Sequence, residues 1–193
     1  MFDLEPATAE MTRLIGDVRD DDLARPTPCD GWTVGDLIAH IHQFVDVFTC
    51  TGRKDPVDPP QHLVDDWRSA IPARLAEMAD AWRDDAAWVG EVAVGGVAMS
   101  SADNAVVAAE ELTVHAWDLA RATGQHFTAQ PAMLDRVEEF LVMFAPGTDE
   151  GSFGPAGQGP FGPVAPVPSD ADRFDRALAA TGRDPRWAVG GGG

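Results

Sequence analysis

The residues best suited to chemistry lie in one short run, Glu110-Glu111-Leu112-Thr113-Val114-His115-Ala116-Trp117-Asp118-Leu119-Ala120-Arg121. On a helix that steps ~100° per residue, with Val107 at zero, Glu111 falls near ~40°, His115 near ~80°, Asp118 near ~20° and Val114 near ~340°. Three ligand-capable side chains therefore share one stripe, bordered by valines that look toward a core. Glu111 and His115 are four residues apart, so their side chains meet on one face. A carboxylate and an imidazole at this spacing can chelate a metal ion from a single helix. The same pair is more often a surface ion pair, and Asp118 can equally cap or pair with Arg121.

A metal site needs a third ligand from elsewhere, and Gly35-Asp36-Leu37-Ile38-Ala39-His40-Ile41-His42 offers two histidines. With Val34 at zero the apolar centre of that helix lies near ~330°, with His40 ~90° and His42 ~110° away from it. Periodicity leaves the choice between them open. Cys29 has no histidine beside it in sequence and reads as a small hydrophobe. Trp32 and Trp117 read as core residues, since large aromatics usually pack. His62 and His126 have no patterned neighbours and read as surface residues. There is no phosphate-binding glycine loop, dinucleotide fingerprint or serine elbow.

The elements that must position these residues are mostly helical. The first ~20 residues carry Leu4, Met11, Leu14, Ile15 and Val18 near helical spacing. Arg25 to Gly31 is dense in turn formers and predicts an ordered loop. A helix restarts at Trp32-Thr33-Val34 with Thr33 as N-cap and Asp36 three residues on, and is expected to end before Gly52. Asp55 to Pro60 predicts a loop. A third helix is expected from about Gln61 to Asp85, kinked or split at Pro72. Trp88 to Met99 predicts a hairpin turning at Gly95-Gly96. A long helix over about 102–123 closes at Gly124, another follows Pro131, and a short one spans Asp170 to Thr181. Pro146 to Ser169, with six glycines and six prolines, predicts a long loop that could line or lid a site. Gly190 to Gly193 reads as a flexible tail. The expected architecture is all-α: one domain over 1–189, a four-helix bundle with a short hairpin and a Gly/Pro-rich loop.

Composition narrows the function. The 193 residues carry 14 lysines and arginines against 32 aspartates and glutamates, a formal net charge of −18. Lysine occurs once, at Lys54, and no basic stripe exists to release counterions from phosphates, which argues against nucleic-acid binding. The same field is repelled by an anionic membrane surface. The acidic start, Met1-Phe2-Asp3-Leu4-Glu5-Pro6, lacks the basic and apolar pattern of a signal peptide. No apolar run approaches the ~20 residues of a membrane helix. Cys29 and Cys50 are too few for a disulfide scaffold, so the expectation is a cytoplasmic protein with reduced thiols.

Two separated segments resemble a known family. Pro28-Cys29-Asp30-Gly31-Trp32-Thr33-Val34, followed by Asp36-Leu37-Ile38-Ala39-His40, is similar to one signature of the mycothiol-dependent maleylpyruvate isomerase N-terminal domain family. Glu111 to Ala120 is similar to the second. Thr181-Gly182-Arg183-Asp184-Pro185 resembles the end of a single-domain branch of metal-binding proteins. The resemblance implies a DinB-like four-helix bundle. It also implies a divalent metal, typically zinc, held by His40, Glu111 and His115, so it selects His40 where periodicity did not. His42 is left as a bystander or a neighbour of the ligands. Two histidines and one carboxylate leave zinc an open position, as in catalytic sites. A thiol bound there would be deprotonated; in the family's characterised branch that thiol is mycothiol. Metal-bound water as a hydrolytic nucleophile is the other use of such a site. Asp118 is the candidate to orient His115 from behind. The full isomerase carries a further C-terminal domain, for which 193 residues leave no room. The fold and metal site are therefore implied more directly than the isomerase activity.

The expectation is a metal-dependent thiol transferase or isomerase acting on a small electrophilic molecule, with a homodimer as an open oligomeric state. Two other readings stand beside it. One is a non-catalytic metal- or small-molecule-binding module, and the other a biosynthetic enzyme that uses the bundle cavity without a thiol.

Overall fold

The structure is a computed structural model and describes residues 1–94, 97–144 and 163–190. The chain is mostly helical, with one two-stranded sheet among the described residues. Helix α1 spans Glu5–Gly16 with Pro6 in its first turn, where a missing N–H costs nothing. Helix α2 spans Val34–Arg53. Its start follows the sequence signal: Thr33 Oγ1 accepts from the Asp36 backbone N–H at 3.2 Å, and the Asp36 carboxylate accepts from the Thr33 backbone N–H at 2.9 Å. This reciprocal cap satisfies two otherwise orphaned donors. Thr33→Ala is expected to lower unfolding free energy by about 1 kcal/mol, read from the urea midpoint.

The far end of α2 differs from expectation. The helix runs through Gly52 and stops at Lys54, the residue in the left-handed conformation (φ 60°). Gly52 serves packing instead: a Cβ there would lie 3.1 Å from Trp82 Nε1 and 3.2 Å from Ala81 Cβ. Gly52→Leu is expected to destabilise by about 1–3 kcal/mol through this overpacking, measured in the same denaturation experiment.

Helix α3 spans Trp67–Ala81, shorter than the predicted 61–85, and Pro72 lies inside it without splitting it. Strands β1 (Glu91–Val94) and β2 (Val97–Ser100) pair antiparallel with Val92 opposite Met99, as the hairpin pattern predicts. Gly95 and Gly96 lie outside the described residues. Helix α4 spans Ser101–Thr123, capped by Ser100 and closed by Gly124. Helix α5 spans Pro131–Met143, and α6 spans Arg173–Ala180 behind its Asp172 cap. Of the predicted Gly/Pro loop, residues 146–162 lie outside the described residues, as do 191–193 of the tail; residues 163–169 are irregular.

Helices α1 and α2 each pack on both α3 and α4, so four helices enclose one core. Met11, Leu14, Leu37, Ile38, Ile41, Ile71, Leu75, Leu112 and Leu119 are buried there. A satellite cluster of Val114, Trp117, Leu134, Val137 and Leu178 fastens α5 and α6 to the outer side of α4. Helix α4 is thus covered on several sides. His115 and Asp118 on this helix are accordingly buried, while Glu111 stays partly exposed. Among the described residues, no helix is long and apolar enough to cross a membrane.

Candidate metal centre

The middle of α4 and the second turn of α2 face one another. They bring together residues that lie 71 positions apart in the sequence, His40 and Glu111. His40 Nε2 lies 3.3 Å from Glu111 Oε2, and His115 Nε2 lies 3.1 Å from the same oxygen. The two imidazoles stand edge to face with centroids 4.9 Å apart. One ligand atom from each of His40, Glu111 and His115 lies within 4.8 Å of the others. His42 is not part of the group; its half-buried ring lies toward Asp46, Asp66 and Arg74, and burial pushes its pKa down.

Behind His115, Nδ1 meets Asp118 Oδ2 at 2.9 Å. Asp118 is fully buried and takes a second partner from Arg183, whose Nη2 lies 3.0 Å from the same oxygen. Arg121, the partner considered from sequence, instead donates to the Trp187 carbonyl. Arg183 is the largest omission of the sequence reading. It lies 65 residues beyond Asp118, and only its place in the Thr181–Pro185 motif marked it.

The loop before α2 supplies a third wall. Gly31, at φ +77°, lets the chain double back, so that Trp32 N–H reaches the Cys29 carbonyl at 3.1 Å. Thr27 Oγ1 donates to the Trp32 carbonyl at 3.0 Å. Trp32 is therefore not a core residue. It is 36% exposed and stands with its ring 5.0 Å from His40. Cys29 is likewise more than a small hydrophobe: its Sγ lies 3.2 Å from Asp118 Oδ2 and 4.0 Å from His115 Nδ1. Trp117 is buried and His62 and His126 are exposed, as expected.

The electrostatics follow from burial against pairing. Burial pushes the Glu111 carboxyl up, but hydrogen bonds from His115 and His40 outweigh it and hold the group well below the usual range. Burial pushes His115 down, yet Asp118, Cys29 and Glu111 raise it well above an ordinary imidazole. Asp118 is held low by His115 and Arg183 despite its burial. Glu110 is the exception. Buried and next to the Glu111 charge, it is pushed up to about 8.

The donor set fits a divalent cation. A neutral imidazole carries one N–H and one lone pair. With Nδ1–H directed at Asp118, the Nε2 lone pair of His115 faces a carboxylate oxygen, acceptor against acceptor. Either an imidazolium or a cation between Nε2 and Glu111 relieves this. Two imidazole nitrogens and a carboxylate suit zinc and its neighbours. A second group, Cys29, His115 and Asp118, is equally compact. There the Arg183 guanidinium already neutralises Asp118 and repels a further cation. The first group is therefore the candidate centre. It opens on a cavity of about 320 Å³ lined by Cys29, Trp32, Glu110 and Arg183 as well as His40, Glu111 and His115.

A mostly helical chain with two histidines and a glutamate converging across two core helices defines a candidate metal-binding helical protein. The sequence model of the mycothiol maleylpyruvate isomerase N-terminal domain matches residues 4–120, and the chain belongs to that family. Two uncharacterized proteins of Mycobacterium tuberculosis, from strains CDC 1551 / Oshkosh and H37Rv, are each 32% identical over 181 residues. Each alignment covers 90% of this chain and 91% of the relative. No solved structure matches the chain significantly. The matched segment contains His40, Glu111, His115 and Asp118 and ends before Arg183.

Proposed function

We propose that this chain is a DinB-like, divalent-metal-dependent enzyme that activates a low-molecular-weight thiol, mycothiol or a close analogue, for sulfur transfer to a small electrophile or for its isomerisation. The observation that carries this reading is the meeting of His40 Nε2 and His115 Nε2 on one Glu111 oxygen, with Asp118 holding the far side of His115. These three residues would hold the ion, most simply zinc. Bound there with an open position, it would stabilise the thiolate form of a coordinated thiol at neutral pH.

The chain's own residues do the rest. Asp118 fixes the tautomer and orientation of His115, and Arg183 holds Asp118. Trp32 and Phe44 wall the imidazoles and limit water. A polar cleft of about 670 Å³, lined by Thr33, Asp36, Gln61 and His62, shares Trp32 and His40 with the centre and suits a hydrophilic thiol. Glu110 is buried in the cavity wall beside Glu111. In transfer, sulfur forms a bond to an electron-poor carbon and the leaving group departs with its bonding pair. In isomerisation, sulfur adds to an activated double bond, the resulting single bond rotates, and the same C–S bond breaks to return the thiol.

The test is turnover of activated alkenes and alkyl electrophiles with mycothiol, in zinc-loaded and chelator-treated protein. Thiol-dependent turnover that chelation abolishes is expected. Turnover that survives chelation, or that needs no thiol, overturns the proposal.

A further inference from the structure

A second cavity, of about 500 Å³, adjoins the centre and has the opposite character. It runs from Glu111 and Phe140 toward the hairpin, between Phe44, Val47 and Val107. No cationic side chain is among its described lining residues. Glu111 and Phe140 line both this chamber and the cavity at His40 and His115.

Gln43, Asn104 and Glu111 interrupt the apolar wall, and of these three Asn104 alone is fully buried. Its Nδ2 is spent on the hairpin, donating to Val92 O at 3.3 Å and Ser100 O at 3.1 Å. Its Oδ1 is buried with no hydrogen-bond partner. A buried acceptor left unpaired is costly, and a ligand that donates to it recovers that cost. Largely apolar chambers with one or two fixed polar groups are the usual form of small-molecule sites.

We infer that this chamber receives the body of the electrophilic substrate, and that this body is an uncharged, predominantly aryl or alkyl group with one hydroxyl or N–H that donates to Asn104 Oδ1. A dianion such as maleylpyruvate finds no counter-charge among the chamber's described lining residues. The substrate is therefore of a different class from the one in the family's name. The metal-centre reading enters only in placing the reactive end beside Glu111; the chamber and its acceptor stand without it.

The test uses thymol, its methyl ether and maleate as probes, titrated calorimetrically into the full chain with and without zinc. Thymol is expected to bind about tenfold more tightly than the ether, the effect of one recovered hydrogen bond. Maleate is expected not to displace it. Val107→Trp fills the chamber from α4 and is expected to weaken thymol at least ~tenfold with metal content unchanged. Val47→Trp does the same from α2 if the first variant fails to fold. His115→Ala is expected to lose metal and keep thymol, which separates the two readings. Equal affinity for thymol and its ether, displacement by maleate, or thymol binding unmoved by both tryptophan variants overturns the inference.

Discussion

The double variant His40→Ala/His115→Ala is expected to purify without a divalent ion, while the wild-type chain carries close to one equivalent of zinc or a similar ion by elemental mass spectrometry. The variant removes both imidazoles and leaves Glu111 as a lone carboxylate, too little to retain a metal through purification. The fold should survive. His40 and Glu111 are each about a quarter exposed, and Asp118 keeps its pair with Arg183 when His115 is gone. Circular dichroism of the variant should therefore show nearly wild-type helicity. Metal content that persists in the variant overturns the site. The pH dependence has a fixed sign. In the metal-free protein, pairing holds His115 protonated well above the usual imidazole range. A metal at Nε2 must displace that proton, so retention weakens as pH falls and uptake releases protons into weakly buffered solution.

What the sequence disclosed of this site depended on spacing along one element. Glu111, His115 and Asp118 lie on a single helix, and the 3.6-residue period places them on one stripe before any fold is known. The same period failed to choose between His40 and His42, because both lie at the edge of the apolar face of α2. The family resemblance selected His40, and the position of α4 across from α2 supplies the physical reason. Trp32 was read as core because aromatics usually pack, but its loop is turned by Gly31 and clamped by Thr27, which leaves the ring at the mouth of the site. Neighbourhood in the fold also changed Cys29, which has no sequence neighbour to activate it yet lies beside Asp118. The elements behaved likewise. Caps at Thr33 and Gly124 were legible because they are local chemistry. The end of α2 was not, because Gly52 answers to Trp82, thirty residues on.

Arg183 gives the second large effect. Asp118 is fully buried and its carboxylate is shared between His115 and Arg183. Removing the guanidinium leaves a buried charge without its full partner, a change that typically costs about 3–5 kcal/mol. Arg183→Met is thus expected to lower the unfolding free energy by that amount in guanidinium denaturation of the zinc-loaded protein. The loss should be smaller after chelation, because His115 is then free to stay protonated and carry part of the countercharge. Asp118→Asn in the same background removes the stranded charge and should recover much of the stability, so the two substitutions are strongly non-additive. It should not recover the metal site. An amide at position 118 holds His115 less firmly than a carboxylate, and metal affinity is expected to fall about 10–100-fold. A structural ion pair alone would move stability and leave metal affinity where it was. The two readouts therefore separate a strut in the fold from a group that orients a ligand, and the 2.9 Å contact to His115 Nδ1 predicts that Asp118 is both.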